Sequence, residues 1–313
     1  MSGQPETGQG ASRPMKGHSA MQANLLILTT ATMLSLFSIN VAAVEPTHRN
    51  VVYATVRDLN LQLDVYTPQN AQKSQKTPLV VWIHGGAWRA GSKNKVPVAT
   101  LVNHGFAIAS VDYRLSPVAK FPAQIHDIKA AIRFLRANAA TYDFDPDRFV
   151  IAGSSAGGHL AALVGVSNGV TELEGTVGNH ASHSSDLQSI VSFYGAANLQ
   201  TILSQSTPHG LSVRVPALEL LLGGQPMDHP DLAKLASPVA HVDASDPPLL
   251  LIHGDQDPQM PINQAHELHG KYKQLHLPVE FEVVHGGAHG GRQFFDDRMI
   301  DRVAEYLKTG RLR

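Results

Sequence analysis

The sequence predicts an α/β protein: a mostly parallel central sheet flanked by helices, with antiparallel strands at its N-terminal edge. Three observations carry this reading. Short, continuous apolar runs end at glycines, as strands buried on both faces do. Segments of helical period separate those runs. Two stretches near the start instead alternate apolar and polar residues, as half-buried antiparallel strands do.

Taken in order, "VVYAT" and "LQLDVYTP" supply the alternating pair. Leu79 to Ile83 is the first buried run, and Phe106 to Arg114 is the second. Ile125, Ile128, Ile132 and Leu135 then fall at helical spacing, with Pro122 in the first turn. "DRFVIAG" reads as a strand, and "SAGGHLAALVGV" as a helix rich in small residues. "SIVSFYG" and "PPLLLIHGD" repeat the strand pattern. "INQAHELHGKYKQL" is an amphipathic helix, "VEFEVV" a strand and "MIDRVAEYL" a closing helix. Gly195 to Asp246 breaks the rhythm with prolines and glycines. It reads as a lid-like insertion of helices and loops over the strand tips. Asp127 and Arg133 read as a solvated helix face.

The N-terminus reads differently. Leu25 to Val41 is mostly apolar and uncharged, follows Met15-Lys16 and ends in the small residues Val41 to Ala43. This is the pattern of a signal peptide cleaved after Ala43, with an uncleaved membrane anchor as the alternative. Residues 1–14 read as an extension, and residues 44–313 as one domain exported to the periplasm or beyond.

Composition narrows the function classes. Net charge is −1, and no basic run tracks phosphates, which argues against a nucleic-acid partner. The absence of cysteine excludes disulfides, Cys-ligated zinc and a thiol nucleophile. Seventeen histidines invite a metal, but none falls in a tight ligand pattern; "HELH", His266 to His269, sits on an expected surface helix. No metal and no cofactor is expected, and nothing implies a stable membrane partner.

The chemistry points to "VIAGSSAGGHL", Val150 to Leu160. A sharp strand-to-helix turn leaves no room for Cβ atoms two residues before and after its centre. Counted from Ser155, those positions are Gly153 and Gly157, the G-x-S-x-G nucleophile elbow. Counted from Ser154 they are Ala152 and Ala156, so Ser154 is a polar spacer and Ser155 the candidate nucleophile. "HGGAW", His84 to Trp88, ends an earlier buried run. Its glycines suit a turn that aims backbone N–H groups at an oxyanion: those of Gly86 and Ala87, joined by that of Ala156. His84 is expected to brace this loop, and His159 to be structural. A serine needs a base and the base an orienting acid. "LIHGDQDPQMP" offers Asp255 and Asp257, and "VVHGGAHGG" offers His285 and His289, in the chain order serine, acid, histidine.

Together, "HGGAWRAGSK", "VDYRLSPVAKFPAQIHDIKAAIRFL", "GSSAGGHLAAL" and "LLIHGDQDPQMP" resemble the α/β-hydrolase superfamily. The likeness is to esterases with an HGG oxyanion loop, and within them to bacterial feruloyl and acetyl-xylan esterase-like carboxylesterases. It runs from about Val51 to the C-terminus. The resemblance implies that Asp257 is the acid and His289 the base, leaving Asp255 to shape its turn. It implies a serine esterase acting on short-chain or aromatic acyl esters, including oligosaccharide esters. Trp88 and Tyr194, near strand ends, are candidates to line the substrate pocket, with a place in the core as the equal alternative. The third oxyanion-loop glycine of many relatives is Ala87 here, which still carries an N–H. Hydrolysis of a small amide, or a catalytically silent fold that binds a ligand, are the competing readings.

Overall fold

The computed structural model describes residues 44–69 and 76–312. The expected signal peptide, its cleavage point and the residue 1–14 extension lie outside the described residues. Among the described residues, no helix is long and apolar enough to cross a membrane.

The strands are β1 (His48–Val56), β2 (Leu59–Tyr66), β3 (Thr77–Ile83), β4 (Ala107–Val111), β5 (Phe144–Ser154), β6 (Ile190–Phe193), β7 (Leu249–Gly254) and β8 (Val279–Val284). They form one sheet in the order β1-β2-β4-β3-β5-β6-β7-β8. β1 pairs antiparallel with β2, and β2 antiparallel with β4. Every other pairing is parallel. The fold class read from the sequence is therefore the one observed.

The apolar runs are continuous because both sheet faces are covered. Leu79, Val81 and Ile83 of β3 face one core with Ile125, Leu160 and Leu268. Val80 and Trp82, one residue out of phase, face a second core with Leu101, Ile300 and Val303. The period of two along a strand sends alternate side chains to opposite layers. The first layer holds α1 (Ala123–Ala137), α2 (Ala156–Gly165) and α7 (Asn263–Gln274). The second holds α8 (Asp297–Thr309) and a 3-10 turn, Ala99–His104, that the sequence reading missed.

Two local expectations shift. Pro122 is the N-cap of α1 rather than part of its first turn. β5 begins at Phe144, earlier than the apolar run suggests. A larger correction concerns Asp127 and Arg133, which are buried, not solvated. Arg114 grips Asp127 with two guanidinium hydrogen bonds of 2.7 and 2.8 Å. Burial pushes the Asp127 carboxyl up, against these bonds. Arg133 pairs with Glu174 of α3 (Thr171–Glu174), beside Lys129 at 2.9 Å. Both partners are remote in sequence, so helical period alone placed these charges on the wrong face.

Gly195 to Asp246 contains α4 (Ile202–Gln205), α5 (Pro208–Leu222) and α6 (Pro230–Leu235). α5 is capped by Thr207, whose hydroxyl accepts from Gly210 N at 3.0 Å and donates to Pro258 O at 2.6 Å. Its far end accepts from Phe121 N at Leu221 O, 2.8 Å. These contacts tie the insertion to loops that follow β4 and β7, at the carboxyl end of the sheet.

Candidate active site

Ser155 joins β5 to α2 with φ 56° and ψ −119°, a conformation that costs an L-residue of order 1–3 kcal/mol. The packing that holds it there is made of backbone. A Cβ on Gly157 would lie 2.1 Å from Ile83 O, and one on Gly153 would lie 2.3 Å from Gly157 O. Ser155 N donates to Phe193 O at 2.9 Å. The next amide, Ala156 N, opens α2, where helix N–H groups lack internal acceptors.

The loop after β3 stands against this turn. A Cβ on Gly85 would meet Ser154 O at 2.7 Å and Ser155 Cβ at 3.3 Å. Gly86, Ala87 and Trp88 all have positive φ, 119°, 52° and 59°. Gly86 O closes the turn by accepting from Arg89 N (3.1 Å) and Ala90 N (3.0 Å). Among the described residues, the N–H groups of Gly86 and Ala87 donate to no protein acceptor. His84 is buried beneath them and contacts Gly85 O through Nδ1 at 2.8 Å. Tyr113 stacks on its ring and donates to His84 O at 3.0 Å. His84 thus braces the loop.

His289 and Asp257 arrive from the loops after β8 and β7. Ser155 Oγ lies 2.8 Å from His289 Nε2. His289 Nδ1 lies 2.7 Å from Asp257 Oδ2. Asp257 Oδ1 accepts from Gln259 N and Met260 N, both at 2.8 Å. The two loops are pressed together: Gln256 N donates to Gly287 O at 3.0 Å, and a Cβ on Gly254 would lie 2.1 Å from that same oxygen. Burial opposes ionisation of Asp257. Hydrogen bonds from His253 and His289 overcome it and hold the carboxyl well below the usual carboxylate range. Burial lowers the pKa of the His289 imidazole, with Asp257 acting in the opposite sense. A neutral imidazole that faces a hydroxyl and is held from behind by an ionised carboxylate can take the proton from that hydroxyl.

The alternative pair forms elsewhere. His285 Nδ1 lies 2.9 Å from Asp255 Oδ2, and Asp255 Oδ1 accepts from Gly286 N at 2.7 Å. This pair is on the surface and does not include Ser155.

Of the two candidate pocket aromatics, Trp88 takes the core place that was its alternative. It is fully buried in the core, where its Nε1 donates to His159 Nδ1 at 3.1 Å. His159 is itself buried and reaches Ala236 O at 2.7 Å, so this contact pins the loop after β3 to the segment between β6 and β7. Tyr194 is also largely buried. Its ring meets His289 edge-on at 4.9 Å, and its hydroxyl faces Ser154. His266 and His269 pack on Phe281 at 5.1 and 5.7 Å.

Two residues escaped the sequence reading. His253, inside the quoted "LIHGDQDPQMP", is buried with Nε2 2.9 Å from Met260 O and 3.4 Å from Asp257 Oδ2. Its place two residues before Asp255 was the available signal. Arg214 of α5 is buried with Nε 3.4 Å from Gln259 O, and no local motif marks it.

With this geometry in hand, the known relatives can be set beside it. Esterase LipQ of Mycobacterium tuberculosis is 31% identical over 65% of this chain and 47% of its own length. The chain spans about half the length of the curated relatives it matches first. A truncated carbohydrate esterase from gut microbiota superposes with TM-score 0.75 at 33% identity, covering 85% of this chain and 97% of that one. Thermogutta terrifontis esterase 2 phosphonylated by sarin gives TM-score 0.71 at 26% identity, covering 85% and 96%. The fold is thus that of α/β-hydrolase esterases. Residues 63–272 match the BD-FAE family; Ser155 and Asp257 fall inside that span and His289 beyond it. From β2 to the last turn of α7, this chain belongs to the BD-FAE family of α/β hydrolases.

Proposed function

We propose that the protein is a serine carboxylesterase working through an acyl-enzyme. Ser155 Oγ attacks the ester carbonyl while His289 Nε2 takes its proton. Asp257 holds the tautomer that leaves Nε2 free and stabilises the cation that forms. The N–H groups of Gly86, Ala87 and Ala156 receive the oxyanion, each worth roughly a hundredfold or more in rate. His289 then gives its proton to the leaving alcohol. Water, deprotonated by His289, releases the acid by the same route in reverse.

The observation that carries this reading is the pair of contacts at 2.8 and 2.7 Å that links Ser155, His289 and Asp257. The esterases among its relatives support the ester chemistry, and the phosphonylated neighbour supports a serine mechanism. Likeness to a carbohydrate esterase from gut microbiota supports a saccharide ester as the substrate; our reading is a short-chain or aromatic acyl group on a plant-derived saccharide. Export by the N-terminal segment fits such substrates.

The test is hydrolysis of p-nitrophenyl acetate and butyrate, then of methyl ferulate and acetyl-xylan. Ser155→Ala is expected to lower kcat by about a millionfold and to abolish labelling by an organophosphate. A purified, folded protein that hydrolyses none of these esters and takes no label would refute the reading and leave a ligand-binding hydrolase fold.

A further inference from the structure

An ionised guanidinium without a carboxylate partner is costly to bury, and such groups are rare unless they serve a ligand. Arg214 is one. It is 1% exposed, and its Nη1 is buried with no hydrogen-bond partner. Among the described residues, no carboxylate pairs with it. Its one protein acceptor is Gln259 O, at a long 3.4 Å. Its guanidinium carbon lies 5.9 Å from the centre of the Trp88 ring.

These two contacts locate the charge. Trp88 directly follows the oxyanion donor Ala87, and Gln259 N donates to Asp257 Oδ1. The guanidinium therefore sits between the oxyanion loop and the loop of the acid, carried there by α5 of the insertion. Asp257 acts on it only through space: its charge opposes the effect of burial, but it makes no hydrogen bond to the guanidinium. Both of its oxygens are already occupied, by Gln259 N, Met260 N and His289 Nδ1. Burial lowers the Arg214 pKa to about 10, so the group is charged at neutral pH. Arg89, exposed on the oxyanion loop, adds a second positive charge nearby.

We propose that Arg214 determines specificity by receiving a carboxylate carried by the substrate, so that the preferred esters are monoanionic. The planar fork of a guanidinium matches a carboxylate with two parallel hydrogen bonds, and the unused Nη1 supplies one of them. The proposal rests on the esterase reading and narrows its substrate class.

Matched ester pairs test it. On the acyl side, the p-nitrophenyl monoester of adipate is compared with p-nitrophenyl heptanoate. On the alcohol side, para-carboxyphenyl acetate is compared with para-carbamoylphenyl acetate. In the native protein, the anionic member of at least one pair is expected to lead in kcat/KM by about tenfold or more, as sites built for a polar group reject analogues that lack it. The pair that responds tells which side of the ester faces Arg214. Arg214→Met should erase the preference and Arg214→Lys should keep part of it. Because each result is a ratio, losses common to both esters cancel. Should Arg214→Met fail to fold, benzoate competing more strongly than benzamide in the native protein, and less so in Arg214→Lys, serves instead. No preference in either native pair, or a preference that survives in Arg214→Met, overturns the proposal and leaves Arg214 as a packing clamp. Turnover of p-nitrophenyl butyrate without anionic preference removes this assignment alone, whereas silence on every ester removes the esterase reading with it.

Discussion

Two aspartate–histidine pairs join the same two loops of this protein. Asp257–His289 is closed at 2.7 Å and Asp255–His285 at 2.9 Å. By distance they are nearly the same interaction. They differ in surroundings. The His289 side chain is 11% exposed and that of His285 is 86% exposed. Asp257 is also fixed by two backbone amides and by His253, and the far nitrogen of His289 reaches Ser155. The far nitrogen of His285 faces water. An aspartate–histidine hydrogen bond is therefore common structural material. Exclusion of solvent, which strengthens the electrostatics, together with the hydroxyl of Ser155 against its imidazole, sets one of the two apart.

The strongest way to break this comparison is to remove each imidazole in turn. His289→Gln should lower kcat on p-nitrophenyl butyrate by about a hundred-thousandfold or more, because the hydroxyl loses its base. His285→Gln should change kcat less than about twofold, as exposed ion pairs contribute little. A large loss in His285→Gln would mean that the surface pair takes part in the reaction.

A smaller effect is expected at the acids. Asp257→Asn leaves the loop geometry intact but lets the histidine adopt the wrong tautomer, which costs about ten-thousandfold in kcat in triads of this kind. Asp255→Asn should leave kcat within about threefold, since Asp255 only ties the turn at Gly286 N and His285. Steady-state kinetics on the two variants, with thermal unfolding as a folding control, distinguish these outcomes.

The same contrast explains what was legible in the sequence. Gly153 and Gly157 betrayed the turn at Ser155 because both sit in one short motif, although only the clash avoided at Gly153, with Gly157 O, is local; that at Gly157 is with Ile83 O of β3. The mostly parallel sheet, covered on both faces, followed from apolar runs that only a doubly covered sheet explains, whereas the order of its strands was not legible. Choosing between His285 and His289 took more than pattern, since both follow β8 within a few residues and both found an aspartate. Burial was the hardest quantity to read. Trp88 was left open between pocket wall and core and is core; Asp127 and Arg133 looked solvated and are buried against Arg114 and Glu174. In each case the deciding partner is distant in sequence. Arg214 was invisible for the same reason, since nothing near it in the chain announces Trp88 or Gln259.

A third histidine sharpens the comparison, because it is buried with no carboxylate at all. His159 accepts from Trp88 Nε1 through Nδ1, which requires the neutral ring, and its Nε2–H donates to Ala236 O. Burial drives its pKa from 6.5 down to about 4, the carbonyl of Ala236 only partly opposing this. The folded protein therefore resists the proton that the unfolded chain accepts. Stability is unaffected by this group above pH 6.5, falls as pH drops toward 4, and is level below that. The shift corresponds to about 3 kcal/mol, roughly a hundredfold in the folding equilibrium and smaller than either triad effect. In His159→Gln, an amide oxygen accepts from Trp88 and the amide N–H reaches Ala236, with no titrating group. Urea unfolding at pH 7 and pH 4 should show a smaller stability loss in the variant than in the native protein. Equal losses would mean that His159 takes its proton in the folded protein as readily as in the unfolded chain, and that the acid sensitivity of this fold arises at other groups.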